Sequence, residues 1–380
     1  MTAPSRPDVV ERAAFVARTW AGPAAADVDR HARLPSEALA GLREARLLSA
    51  MVPVDLGGEG AGVAQIGGAV EALAQQCAST ALIYAMHQIQ VACLVRHARS
   101  AALRRFLQET AERQLLIASA TSETGTGGDA SSSRCVLERR AEGFRLDKGV
   151  PVISYGADAD AVLVTAARSS DSPTDQVLVL CRRPELRQTG VWDTLGFRGT
   201  CGPPYRLRGH GPFDHVLEDR FGDILARTML PLSHVLWACV WLGLATQALD
   251  KARRFVRESA RRSSGALPPG GYRLVEVARQ HQRLAVLVRS EAHRVDETLA
   301  EELAEPRSVA ASNQVKISAS ELAVDVVHGA LVVTGMAGYA NDGPYSMGRL
   351  LRDAYGGLVM VNNDRIAANT ALLMLAAGEA

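Results

Sequence analysis

The amino-acid sequence predicts an α+β protein with helices at both ends and a small β unit between them. Three observations predict it. Apolar residues recur at helical spacing through the first ~115 positions. From Ile117 short β-branched or alternating runs take over, punctuated by Gly, Pro, Asp and Ser. From Met229 helical spacing returns and persists. These shifts divide the 380 residues into a helical domain 1–116, a β domain 117–225 and a helical-bundle domain 226–380. At 47% hydrophobic and 22% charged, the chain can bury more than one core.

In the first part, Val9 to Trp20 and Pro35 to Leu48 read as amphipathic helices. Pro35 suits a first turn, Glu37 a helix N-terminus, and Leu39, Leu42, Ala45 and Leu48 recur at three-residue steps. Val52 to Gly60, with one proline and three glycines, interrupts the pattern. Ile66, Val70, Leu73 and Cys77 line the next helix, Thr80 to His97 follows, and Leu103, Phe106 and Leu107 mark one more. Strand candidates are Phe144–Asp147, Pro151–Ser154, Ala161–Thr165, Gln176–Leu180 and Tyr205–Leu207, whose mostly short connections argue for antiparallel pairing. The last part holds four long helices: Val235–Val256; one carrying Leu274, Val277, His281, Leu284 and Val288; Val309–Val333; and Leu358–Ala377.

Composition narrows the function classes. Lys plus Arg number 42 against 41 Asp plus Glu, a balance with no field suited to nucleic acid or an anionic membrane. The most apolar run, Thr80 to Val95, contains His87, Gln88 and Gln90 and falls short of the ~20 apolar residues a span needs, so it reads as a buried helix. Six cysteines with no CxxC pair fit free thiols in a reducing cytosol rather than a zinc site, and no metal is expected. Met1 to Pro7 has no apolar h-region, so a cytoplasmic protein is expected.

The stretch with the most chemistry is Ile117-Ala118-Ser119-Ala120-Thr121-Ser122-Glu123-Thr124-Gly125-Thr126-Gly127-Gly128-Asp129. Three glycines in four residues, flanked by small hydroxyl residues, can present backbone N–H groups to an anion with no Cβ in the way. It is followed in order by Lys148 to Asp160, Leu195-Gly196-Phe197-Arg198-Gly199-Thr200, Gly335-Met336-Ala337-Gly338-Tyr339 and Arg352-Asp353-Ala354. Five stations in this order resemble the acyl-CoA dehydrogenase superfamily, flavoenzymes that oxidise acyl thioesters, and the resemblance covers nearly the whole chain.

The resemblance implies an N-terminal helical domain, a small β-barrel or sheet domain and a C-terminal four-helix bundle. It also implies noncovalent FAD. Ser122 falls where a flavin-contacting threonine usually sits, Gly127 and Gly128 at the pyrophosphate contact, and Ser154 at the second flavin hydroxyl. Ser119, Thr121 and Gly335 belong to the same stations. Arg261 is near the place from which a neighbouring subunit's arginine holds the pyrophosphate, and a homodimer or homotetramer is implied. The chain departs from the family pattern in lacking the proline of the glycine-rich run, in glycine for its last serine, and in Val152 for a tryptophan beside the flavin.

The sharpest departure concerns the base. Removing the α-proton of a thioester needs a positioned, desolvated carboxylate. The family carries it seven residues after the Arg-Asp-Ala station, here Val361, or on the helix opening the last domain, here Ser233. Neither is an acid. Candidates to fill the gap are His234, preferred because a helix start would hold its imidazole neutral, then Asp364 and His87; His281 reads as core. Three functions follow: FAD-dependent α,β-dehydrogenation of an acyl-CoA or acyl-carrier-protein thioester with a displaced base, passing electrons to an acceptor flavoprotein; a flavin monooxygenase of the same fold using reduced flavin and O2; and a non-catalytic subunit.

Overall fold

The computed structural model describes residues 7–125, 130–299 and 306–376. Helices α1 (Val9–Val16), α2 (Gly22–His31), α3 (Ser36–Glu44), α4 (Val63–Ala74), α5 (Ala78–His97) and α6 (Ala101–Arg113) come first. The helix read over Val9 to Trp20 passes instead through a π turn at Ala17–Ala21 into α2. Asp8 caps α1 by accepting the Glu11 N–H, and Ser100 caps α6 by accepting that of Leu103. Helix α5 is buried on nearly every face.

The middle region holds β1 (Ile117–Ala120), β2 (Glu138–Arg140), β3 (Gly143–Val150), β4 (Ala161–Ala167), β5 (Gln176–Arg182), β6 (Glu185–Gln188) and β7 (Tyr205–Gly211). Among the described residues they form two sheets and no closed barrel, in the orders β1-β4-β5 and β2-β3-β7-β6. Antiparallel pairing holds except between β1 and β4, which run parallel with Ile117 opposite Ala161. Those partners lie 44 positions apart, long enough for the crossover a parallel pair needs. Pro151–Ser154, expected as a strand, lies in the turn that follows β3, where Tyr155 adopts φ +46°.

The last region contains α7 (Phe221–Ile224), α8 (Leu230–Arg262), α9 (Leu274–Leu299), α10 (Pro306–Thr334), α11 (Met336–Tyr339), α12 (Gly348–Val359) and α13 (Asn363–Ala376). The fourth helix expected over Leu358 to Ala377 is two helices, broken where Val361 takes φ +46°. Helix α8 packs against α4, α5, α9 and α10, and one apolar core runs from Val9 to Ala354 through all three regions. Three helical runs, Ala78–His97, Phe221–Arg262 and Arg307–Thr334, are long and apolar enough to cross a membrane. The apolar stretches of the first two are 89% and 83% buried, so their apolar faces are used in this core.

Candidate active site

A cavity of about 1210 Å³ lies between the β region and helices α5, α8 and α10, with the α12–α13 turn on its rim. On the β side, Ser119 lies in β1, Thr121 and Ser122 follow the strand, and Ser154 stands on the turn after β3; all four line the cavity. Among the described residues none hydrogen-bonds their hydroxyls. Glu123, next in sequence, is turned away: its carboxylate accepts from Ser133 Oγ at 2.7 Å and the Arg134 N–H at 3.1 Å.

The strand end carrying these hydroxyls is held from behind by Lys148. The alternation of β3 turns Phe144, Leu146, Lys148 and Val150 inward. Lys148 Nζ donates to Ala120 O at 3.1 Å, Thr165 O at 2.9 Å and Thr165 Oγ1 at 2.6 Å, satisfying all three of its protons. Burial lowers its pKa to about 8. Thr165 Oγ1 in turn donates to Thr121 O.

A loop from Trp192 to Thr200 closes one side, pinned by α12. Phe197 N–H donates to Asp353 Oδ1 at 2.6 Å, and Arg352 donates to Leu195 O at 2.9 Å while pairing with Asp29. Gly196 must lack a side chain, because a Cβ there would lie 2.2 Å from Arg352 O. Burial raises the Asp353 carboxyl to about 6. The Leu195–Thr200 and Arg352–Ala354 stations are thus two halves of one buckle.

The helical wall is less settled. Leu82, Met86, Ile89 and Gln90 face the cavity from α5, and Leu230, Ser233, His234 and Trp237 from successive turns of α8. Val361 lines the cavity as well, so both positions at which the sequence led to the expectation of a carboxylate border it, and neither carries one. No Asp or Glu occurs among the described lining residues. The Val361 turn is clamped by Lys316 of α10, whose Nζ donates to Gly357 O, Val361 O and Asn363 Oδ1 at 3.0, 3.1 and 2.5 Å.

His234 corrects an expectation. It lies within a continuous helical run, Phe221–Arg262, rather than at a helix start, so no N-terminal dipole acts on it. Burial, reinforced by the Lys316 charge and opposed by a backbone contact at Ser312, lowers its pKa to about 3. The ring is neutral, and burial makes it a poor proton acceptor. Its Nδ1 is buried without a hydrogen-bond partner. His87, by contrast, is spoken for: Nδ1 accepts the Ile117 N–H at 3.0 Å, so Nε2 carries the proton and donates to Leu48 O at 2.7 Å.

The other sequence candidates lie apart from the cavity. Asp364 is exposed in the first turn of α13 and does not line it, its N–H donating to Asn362 Oδ1. Gly335 is exposed at φ +55° before α11 and is not a lining residue. Arg261 is exposed in the last turn of α8, roughly 40 Å from His234 along the axis at 1.5 Å per residue. Gly127 and Gly128 lie outside the described residues. His281 is bonded to Thr246 Oγ1 at 2.8 Å.

Sequence reasoning missed Lys148, Trp237 and Asn313 and read Gln90 only as polar. The period-two pattern of β3 did put Lys148 inward. Asn313 and Gln90 each interrupt an apolar helix face, the available sign of a buried polar role.

The chain matches the family descriptions "Acyl-CoA dehydrogenase, N-terminal domain" over residues 8–114 and "Acyl-CoA dehydrogenase, C-terminal domain" over residues 222–359. Among curated proteins it is 26% identical to cyclohexane-1-carbonyl-CoA dehydrogenase of Geobacter metallireducens, covering 91% of this chain and 90% of that one. FMN-bound TdsC of Paenibacillus sp. A11-2, a dibenzothiophene monooxygenase, has the same fold with TM-score 0.85, 20% identity and 97% of each chain covered. So does butyryl-CoA dehydrogenase of Megasphaera elsdenii, with TM-score 0.82, 19% identity and 99% of each chain covered. With both terminal domains matched, hydroxyls poised on the β side and a large cavity facing them, the chain belongs to the acyl-CoA dehydrogenase family and is an acyl-CoA dehydrogenase-like flavin oxidoreductase.

Proposed function

We propose that this protein is a flavin-dependent monooxygenase built on the acyl-CoA dehydrogenase fold. The observation that carries the reading is the lack of any carboxylate among the described cavity-lining residues, with Val361 and Ser233 at the two base positions. His234 is a poor replacement for them, because burial disfavours the protonated imidazole it would have to become. Oxygen insertion needs no such base. One atom of dioxygen enters the substrate and the other leaves as water, the two electrons coming from a bound reduced flavin.

The residues fit that group. Ser122 and Ser154 offer donors to the polar edge of a flavin ring, where negative charge gathers on reduction, and Ser119 and Thr121 extend the hydroxyl row. The apolar walls from Leu82, Met86, Ile89 and Leu230 exclude bulk water, which protects a reactive oxygen species from wasteful decay. Val152, where the family pattern has a tryptophan, is a smaller side chain on the cavity lining. We take the flavin to be FAD, with Arg261 of a neighbouring copy of the chain at its pyrophosphate in a dimer or tetramer; FMN, as in TdsC, is the alternative. Flavin release and sedimentation of the purified protein decide both points.

A second reading, α,β-dehydrogenation of an acyl-CoA or carrier-protein thioester, is favoured by the name of the Geobacter relative. Anaerobic titration of flavin-loaded protein separates the two. Monooxygenation predicts that acyl thioesters leave the flavin oxidised, and that a reductase with NAD(P)H supports incorporation of labelled oxygen into product. Bleaching by a thioester without oxygen would overturn the proposal. If His234→Ala then slowed bleaching by ~10²-fold or more, the histidine would be the displaced base.

A further inference from the structure

Resting on the reading that flavin and substrate share this cavity, we infer that its helical wall recognises an uncharged substrate group that both donates and accepts hydrogen bonds. A hydroxyl or an N–H-bearing amide function fits this description, and a ketone or a plain alkyl chain does not. Four side chains carry the inference. Asn313 of α10 is 1% exposed and neither its Nδ2 nor its Oδ1 has a hydrogen-bond partner. His234 is 3% exposed with Nδ1 unpartnered, and Gln90 is 3% exposed with Oε1 unpartnered. Trp237, half-buried one turn from His234 with ring centroids 6.2 Å apart, has an unpartnered Nε1. All four line the cavity.

Native interiors rarely leave such atoms open, because a desolvated donor or acceptor with nothing to bond is costly. Here the open set is mixed: Trp237 Nε1 and Asn313 Nδ2 donate, Gln90 Oε1 and Asn313 Oδ1 accept, and neutral His234 Nδ1 serves as either according to tautomer. A ligand that only accepted or only donated would leave part of the set unmet. Charge is excluded from both sides. No carboxylate among the described lining residues awaits a cation. The nearby cations are committed, Lys316 to three acceptors, Arg352 to Asp29, and Arg365 to a partner of its own.

The test compares binding of benzamide and of its apolar counterpart ethylbenzene to the flavin-loaded protein by ligand-observed NMR. Asn313→Leu should lower the preference for benzamide over ethylbenzene about tenfold, roughly one to two hydrogen bonds' worth. Trp237→Phe, which deletes the donor while keeping an aromatic ring, should lower it about threefold and guards against a misfolded Asn313 variant. The melting temperature of Asn313→Leu should hold or rise, since an unmet polar pair is removed. A preference unchanged in both variants would overturn the inference. So would a fall of several degrees in Asn313→Leu, meaning that bound water already satisfies the amide, or loss of flavin with the preference intact, meaning that the wall serves the cofactor. The thioester titration above does not enter this comparison, so either reading can fail alone.

Discussion

The Arg352–Asp353 buckle and the Asn313–His234 wall border the same cavity, and both contain polar side chains far from water. In the buckle, the Arg352 guanidinium reaches Asp29 and Leu195 O, and the Asp353 carboxyl takes the Phe197 N–H. In the wall, Asn313, His234, Trp237 and Gln90 have atoms with nothing to bond. The first arrangement is closed and holds a loop in place. The second has open valences, which suits groups waiting for something that arrives from outside. His87 and His234 repeat the contrast in one residue type.

The largest expected effect comes from forcing the buckle apart. Gly196→Ala sets a Cβ against the Arg352 backbone with no side chain free to rotate away, and should cost about 3 kcal/mol, read as a lower denaturation midpoint and freer access of a quencher to the cavity. Arg352→Ala should cost about 2 kcal/mol, less than a fully buried pair because both partners keep some solvent contact. If either were neutral, the closed cluster would not be what positions the loop.

Titration sharpens the comparison next. Asp353 has a folded pKa near 6 against an ordinary 3.8, so the native state binds its proton more tightly. Its contribution is fully present below pH 3.8 and is lost as the pH rises through 6, up to about 3 kcal/mol. His234 runs the other way: its folded pKa near 3 against 6.5 gives stability present above pH 6.5 and lost as the pH falls toward 3. Asp353→Asn should therefore steepen the acid-side loss of stability in chemical denaturation between pH 4 and 6, by removing the term that opposes it. An unchanged slope would mean that Asp353 ionises as readily folded as unfolded.

Much of this was legible in the residues. Five short stations in order pointed to the fold, and the absence of an acid at Val361 and Ser233 was readable by counting. The two sheets and the parallel β1–β4 pair were not, because β1 has four residues and its partner lies 44 positions away. The helix break at Val361 was hidden because Asn362 and Asn363 sit in an otherwise helical pattern, and what fixes it is Lys316, from another helix. The His234 environment was misread for the same reason. A proline at 231 looked like a helix start, but the helix had already begun at Phe221.

The smallest expected effect is a gain. Val361 is β-branched and held at φ +46°, a conformation costing about 1–2 kcal/mol for an L-residue, so Val361→Gly should raise stability by roughly 0.5–1 kcal/mol after the added flexibility of the unfolded chain. A loss would show that the valine's packing outweighs its backbone strain.

That turn has a meaning for descent as well as for stability. Its shape is held by Lys316 reaching across to the Gly357 and Val361 carbonyls and to Asn363, and none of these contacts uses the side chain of residue 361. The side chain there is a cartridge in a socket that other residues have made. A lineage can exchange it in one substitution without rebuilding the turn, and Val361→Glu would put a carboxylate at the cavity on the same backbone.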